Sequence, residues 1–463
     1  MIIASVSFHP LPSYNHIKED EKLFIMKRPS VNQIITILST HKQVFLTGAG
    51  GTGKSHLLQQ IIKHYKTPAI LATTASAAQL IGGDTLHAFF MFGLAQTPLE
   101  LEAQDNSSIE WAQNNLNLTK ESAIAYYDNK LKKRFKNIDL IVIDEVSMVS
   151  SETFDCIIKR MQQVKSQAPL LFVGDLYQLP PVCQDRTQTF CFQSKHWNPY
   201  VIELTKIHRT NNKDFATAQQ HIRQGLYTEL VHNQIKKILS NTFNKSFRPT
   251  ILTSTKKQAE TINNNSLASL KTPLITLQAE IKTELQDAKQ IKKLINLFPL
   301  EPVIQIKEGA RIIICKNMQD HDLVNGSQAT LLKINLKQNT ALIRTDDGRE
   351  ILLAPELFTR KQIKTSPTGI VTWHNIISMY QFPFKCAYAL TIHKSQGMSI
   401  NQLEIDCRGI FEAGQFYVAL SRATDPTKIR LLNFNRNYVR ISNEQLRIYY
   451  NNLKHKELEC QEQ

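Results

Sequence analysis

Short apolar runs recur between residues 43 and 205, separated by polar segments with helical spacing. QVFLT, AILAT, LIVID, LLFVGD and VIEL are near-continuous apolar stretches, the pattern of strands covered on both faces. After the first of them, Leu57, Leu58, Ile61, Ile62 and Tyr65 fall on one helical face. Strand and helix in alternation predict an α/β fold built on a doubly wound parallel sheet. A polar stretch from Ala95 to Lys130 carries six acids against two lysines and reads as an insertion decorating that sheet. From Arg311 to about Phe382 the apolar period changes to two, broken at Asn325-Gly326, Lys337-Gln338-Asn339 and Asp347-Gly348, so hairpins and a small β-barrel are expected there. The β/α pattern returns with YALTIHKS and QLEIDC. The simplest topology is a second α/β domain, begun near residue 211, interrupted by the barrel and resumed near 384. No repeat at a fixed short period and no low-complexity tract interrupts this plan.

Composition narrows the classes. At 463 residues the chain has room for about three domains, and 42% hydrophobic residues make a packed core the expectation. Lysine and arginine outnumber the acids by 55 to 40, a formal charge of +15, which favours a polyanionic partner. No run of about 18 apolar residues suggests a membrane span. The opening MIIASVSFHP lacks both a basic n-region and an A-x-A cleavage site. Seven cysteines, odd in number and never spaced C-x-x-C, read as core residues of a reduced intracellular protein.

The chemistry concentrates first at Gln43 to Ser55, QVFLTGAGGTGKS, where an apolar strand runs into a glycine loop ending in Lys-Ser. This is the layout of a phosphate-binding loop. Gly48, Gly50, Gly51, Thr52 and Gly53 turn the backbone so that successive N–H groups point at phosphate oxygens. Lys54 reaches the β and γ phosphates, Ser55 can ligate Mg²⁺, and the following helix aims its positive end at the same anion. Hydrolysis then needs a carboxylate for the metal and a group to act on water. IDLIVIDE supplies Asp144 at the end of a buried run and Glu145 beside it. LLFVGDLYQLPPV ends on the same rim, with Gln178 able to touch both the attacking water and the γ phosphate.

The succession GAGGTGKS, DEVSM, GDLYQLPPV, ALTIHKSQGMS and GQFYVALSRA resembles the superfamily 1 helicases of the Pif type, with RecD-like helicases the next nearest relatives. The resemblance runs from roughly residue 30 to 435. It implies two RecA-like P-loop NTPase domains: the first over 31–210, with a wedge-like insertion at about 95–130, and the second over 211–300 and 384–440. A small SH3-like β-barrel occupies 301–383, an N-terminal extension 1–30 and a helical tail 441–463. Gln33 then resembles the glutamine that reads adenine, and Arg209 and Arg422 the two arginines that meet the γ phosphate from across the cleft. Thr74, Thr85, His87 and Phe89 in the first domain, with Thr391, His393, Lys394 and Ser395 in the second, become candidate DNA contacts. Three departures stand out: Ala75 replaces the family's usual glycine, KSQAPLLFVGD lacks the Pro-Phe-Gly-Gly element, and Thr210 stands where glutamine is common.

The activity implied is that of an ATP-dependent, Mg²⁺-requiring DNA helicase moving 5′ to 3′ on single-stranded DNA and opening fork or overhang duplexes. Such a protein would be monomeric in isolation, away from membranes, and active in repair, recombination or telomere maintenance. It would lie with the nucleoid in the cytoplasm of a bacterium, or in the nucleus or mitochondrion of a eukaryote. Two rivals remain: a translocase that displaces proteins with little unwinding, and a nucleic-acid-binding scaffold using ATP as a structural ligand. Intact Glu145 argues against the scaffold.

Overall fold

The computed structural model describes residues 23–26, 29–73, 77–78, 81–93, 95–181, 189–244, 249–296, 298–323, 325–365, 371–441 and 444–461. Seven parallel strands form the first sheet: β1 (Leu23–Met26), β2 (Gln43–Gly48), β3 (Pro68–Ala72), β4 (Asp84–Thr85), β5 (Leu140–Asp144), β6 (Leu170–Gly174) and β7 (Tyr200–Leu204), in the order β1-β7-β2-β6-β5-β3-β4. The apolar runs predicted β2, β3, β5, β6 and β7 to within a residue or two because both faces are covered, but not the edge strands β1 and β4. Along β2, Val44 and Leu46 face the helices α1 (Val31–Thr40) and α2 (Lys54–Ile62), through Ile34, Leu38, Leu58 and Ile61. Phe45 points the other way, into a core with Phe154, Phe172 and Trp197. The strand order puts β2 between β6 and β7, with β5 just beyond, so the phosphate loop, Asp144-Glu145 and the Gly174–Gln178 turn leave the sheet along one edge.

The polar stretch forms an antiparallel pair of helices, Pro98–Leu116 and Lys120–Phe135, each opened by a threonine N-cap. Arg160, fully buried on the helix Ser151–Gln163, holds the pair in place. Its guanidinium donates to both carboxylate oxygens of Asp105 (2.6 and 2.5 Å), to Tyr127 Oη (3.1 Å) and to the carbonyls of Phe90 and Met91 (2.9 and 3.3 Å).

A second parallel sheet, of order β19-β8-β20-β21, comprises β8 (Thr250–Thr253), β19 (Ala389–Thr391), β20 (Leu403–Asp406) and β21 (Ile429–Leu432). Between β8 and β19 the chain makes three antiparallel arrays. Strands β9 (Leu274–Gln278) and β11 (Val303–Lys307) pair as a ribbon, and β10 (Glu280–Thr283) joins the long hairpin β16 (Glu356–Thr365) and β17 (Val371–Gln381). The third is a five-stranded sheet of β12 (Arg311–Ile314), β13 (Gln328–Asn335), β14 (Thr340–Thr345), β15 (Glu350–Leu353) and β18 (Phe384–Cys386). Asn339 and Gly348, at two of the predicted turns, take φ of +51° and +89°. Residues of the second parallel sheet and of the five-stranded sheet share one core. β16 also packs on the helix Lys120–Phe135 and on β4.

The last helix, Glu444–Gln461, follows the second sheet in sequence but packs in the first core. There Leu446, Tyr449, Tyr450 and Leu453 are buried, and Trp197 Nε1 donates to Tyr449 Oη at 3.0 Å.

Candidate nucleotide and nucleic-acid site

The phosphate loop turns through positive φ at Gly51 (+87°) and Gly53 (+91°), conformations that glycine adopts without strain. Lys54 opens α2 and folds back, donating to the carbonyls of Gly48 (2.6 Å) and Ala49 (3.1 Å). Burial lowers its pKa, an effect opposed by the nearby carboxylates of Asp175, Glu145 and Asp144. Thr52 closes the loop through Oγ1 onto Ala49 O, and Ser55 stands exposed in the first helical turn.

Asp144 ends β5 and accepts from the Glu145 N–H at 2.8 Å. Burial, then the adjacent Glu145 charge, pushes its carboxyl up to about 7; burial also raises that of Glu145. Glu145 sits at φ +52°, a left-handed backbone that side-chain-bearing residues rarely adopt and that recurs at working sites. Adjacent carboxylates whose charge burial disfavours suit a divalent cation. Asp144 and Ser55, completed by nucleotide phosphates and water, match the sparse protein ligation Mg²⁺ prefers. Among the described residues no cluster of three His, Cys, Asp or Glu side chains could hold a metal by itself. Gln178, 5% exposed, leaves its Oε1 buried without a protein partner on the same rim.

The second domain closes on this loop. A Cβ on Gly50 would stand 3.2 Å from Ser421 Oγ and 3.4 Å from Arg422 Nη2, and one on Gly51 would stand 2.6 Å from Arg209 Cβ. Arg209 reaches across the seam to Ser399 Oγ (3.1 Å) and Ser421 O (2.6 Å). Burial, then Arg422, lowers its pKa to about 9. Arg422 is 2% exposed and donates to Val418 O, Ser395 O and Ser421 Oγ. Burial lowers the pKa of both guanidiniums, and the Arg422 charge adds to the lowering at Arg209, so an anion bound beside them would stabilise both charges.

Around this centre lie residues to which the motifs assigned no role. Gly50 N–H donates to Tyr417 Oη (2.8 Å), and that hydroxyl donates to Asp175 Oδ2 (2.9 Å). Arg223 Nε donates to Asp175 as well, at 2.9 and 3.1 Å, and its Nη1 to Glu203 at 3.2 Å. Tyr417 lies inside the GQFYVALSRA motif; Arg223, in HIRQG, offers only a basic residue two positions before a glycine.

Several expected positions land elsewhere. Gln33 is exposed and uses its side-chain oxygen to accept from the Ser30 N–H, completing the cap of α1. Thr74 lies outside the described residues. Thr85 caps a short helix, and half-buried His87 meets Phe92 edge to face, its pKa lowered by burial. Phe89 is not available for stacking on a base: it is 2% exposed and packs against Phe90 and Phe135, because a phenyl ring gains more from that core than from solvent. Ser395 is likewise fully buried; its hydroxyl donates to Ile392 O and its carbonyl accepts from Arg422. Thr391 is also buried, with Oγ1 accepting from Lys394 N–H. That leaves His393, partly exposed 3.9 Å from Glu412, and exposed Lys394 at the surface of this segment. Burial of the Lys394 stem, then the charges of Lys385 and Lys256, lower its pKa.

The profile of a family described as PIF1-like helicase matches residues 26–237. An ATP-dependent DNA helicase Pif1 from Campylobacter jejuni is 35% identical over 412 residues, spanning 84% of this chain and 89% of the relative. The ATP-dependent DNA helicase PIF1 of Xenopus laevis is 33% identical over 442 residues, 91% of this chain but 64% of the frog protein. Among solved structures, a Bacteroides Pif1 in complex with ADP-AlF4 superposes with a TM-score of 0.76 at 24% identity, covering 92% of this chain and 96% of that one.

Proposed function

This chain belongs to the PIF1-like helicase family, and on that premise we propose that its interdomain cleft hydrolyses ATP to drive the protein along single-stranded DNA and through duplex. It is an ATP-dependent DNA helicase, as its relatives are named. The observation that carries the mechanism is the meeting of the two halves at the phosphate loop: Ser421 and the Arg422 guanidinium approach Gly50, while Arg209, beside Gly51, reaches over to Ser399 and Ser421. Cations gathered from both sides of a seam beside a phosphate loop are neutralised by a phosphate bound there, so nucleotide draws the two halves together.

In this reading Lys54 neutralises the β and γ phosphates, Glu145 takes the proton of the attacking water, and Gln178 orients that water with its unpartnered amide oxygen. Bound Mg²⁺, held by Asp144 and Ser55, supplies charge neutralisation at the phosphates. Planar guanidiniums stabilise the charge that develops on the transferred phosphoryl group. The Ser395 carbonyl on Arg422 links the cleft to the TIHKSQG segment, whose surface offers His393 and Lys394 to a strand. Thr85 and His87 are the corresponding candidates in the first domain. Opening and closing the cleft would shift one grip past the other, moving the protein 5′ to 3′ with the helical insertion at the fork.

ATPase assayed with and without single-stranded DNA, beside strand displacement from 5′ and 3′ overhangs, tests this. Stimulated turnover with unwinding from the 5′ overhang is expected. Stimulated turnover without unwinding would leave a translocase, and no stimulation would overturn the DNA motor.

A further inference from the structure

Arg223 is 3% exposed, and among the described residues its Nη2 has no hydrogen-bond partner. Its guanidinium lies over the rings of Tyr177 (4.9 Å) and Tyr450 (5.5 Å), which stack on each other at 4.9 Å and 17°. Burial disfavours its charge, but Asp175 and Glu203 more than offset that and raise its pKa well above the ordinary range. Tyr450 comes from the C-terminal helix and its hydroxyl shares a hydrogen bond of 3.0 Å with Thr47, the residue before the phosphate loop. Tyr177 immediately precedes Gln178.

The hydrogen-bond directions around Asp175 follow from that charge. A carboxylate has no proton to give, so the Tyr417 hydroxyl must donate to it and turn a lone pair toward the Gly50 N–H. Arg223 Nε, donating to both oxygens of Asp175, fixes that carboxylate where the Tyr417 hydroxyl reaches it, and so fixes the lone pair offered to Gly50. The cluster also spans the seam: Arg223 and Tyr417 ride on the second domain's helices Lys213–Arg223 and Gln415–Leu420, while Asp175 and Gly50 belong to the first. It is whole only when the cleft is closed.

We propose that Arg223 is a positioning residue for ATP hydrolysis, acting through Asp175 and the Tyr417 hydroxyl on the Gly50 N–H of the phosphate loop, with Tyr450 holding its guanidinium flat. This rests on the nucleotide-hydrolysing reading of the cleft. Interactions complete only in the closed state act on kcat more than on KM.

The test is a double-mutant cycle on the full chain, with Arg223→Gln, Tyr417→Phe and both together, reading kcat and KM for ATP normalised to active sites. Each single change is expected to lower kcat about tenfold or more with KM altered by less than about threefold. The double variant should fall no more than about twofold below the worse single, because both act through one carboxylate. Arg223→Lys, which restores charge without the planar fork, should recover part of the loss. Multiplied losses in the double variant, or a lowered Tm with kcat per active site unchanged, would overturn the proposal. Should Arg223→Gln not fold, Asp175→Asn with Tyr417→Phe closes the same cycle. The cycle is readable on turnover without DNA, so absent stimulation with coupling intact counts against the DNA motor alone. Absent coupling with stimulation intact counts against this proposal alone.

Discussion

Lys54 spends its ammonium on two main-chain carbonyls of its own loop, contacts a phosphate would replace. Its loss therefore removes charge from the reacting centre and little from the fold. Lys54→Ala and Glu145→Gln should each lower ATP turnover by at least about 100-fold while single-strand affinity, measured by fluorescence anisotropy, persists. Unchanged turnover in both would refute the hydrolytic assignment. Asp144 makes a prediction of opposite sign for stability. Its folded carboxyl titrates near 7 against 3.8 in the reference state, so between those values the folded form holds a proton that the unfolded form lacks. The stabilisation present below 3.8 is thus lost as pH rises toward 7. In the absence of metal and nucleotide, Asp144→Asn should raise Tm by about 2 to 4 °C at pH 8 and abolish turnover. A Tm unchanged by the substitution would mean that the carboxylate is not strained by burial.

A fully buried cation, Arg160, joins the helical insertion to its sheet. Arg160 binds Asp105 and Tyr127 on the insertion and the carbonyls of Phe90 and Met91 beside the Thr85–His87 segment, so the insertion and that segment share a mount. Arg160→Met strands a partly buried carboxylate and two carbonyls, and should cost about 3 kcal/mol in urea unfolding. At temperatures where the variant stays folded, strand displacement should drop further than DNA-stimulated ATPase; equal losses would argue that the mount serves stability alone. At the other side of the cleft, Gly414 precedes the helix Gln415–Leu420 with φ +77°, and a Cβ there would stand 2.8 Å from the carbonyls of both Tyr177 and Gln178. Gly414→Ala should therefore hold Tyr417 and Arg422 away from the loop and lower kcat by about tenfold or more, in stopped-flow phosphate release.

Across the whole molecule a charge of +15 favours a polyanion through counterion release, so single-strand affinity should fall log-linearly with salt; a flat response would contradict phosphate binding. Closure brings Arg209, Arg422, Arg223 and Tyr417 together around one loop, and the helix Glu444–Gln461 straps across by burying Tyr449 and Tyr450 in the first core. Much of this was legible in the chain. Continuous apolar runs located the central strands of the first sheet but not its edge strands Leu23–Met26 and Asp84–Thr85, and turn pairs such as Asp347-Gly348 located hairpins, because backbone conformation and burial are imposed locally. GAGGTGKS and Asp144-Glu145 were legible for a related reason: phosphate and metal chemistry demands particular residues at fixed short spacing. Phe89 and Ser395 were misread as DNA-facing because motif membership does not say which way a side chain points. Arg223 and Tyr450 carried no signal, since a buried arginine is written with the same letter as a solvated one. Sequence alone determined the strands, the loop and its hydrolytic chemistry, all properties of residues close along the chain. Tertiary structure alone decided which distant groups meet Gly50 across the cleft, because hydrogen bonding and desolvation depend on distance in space.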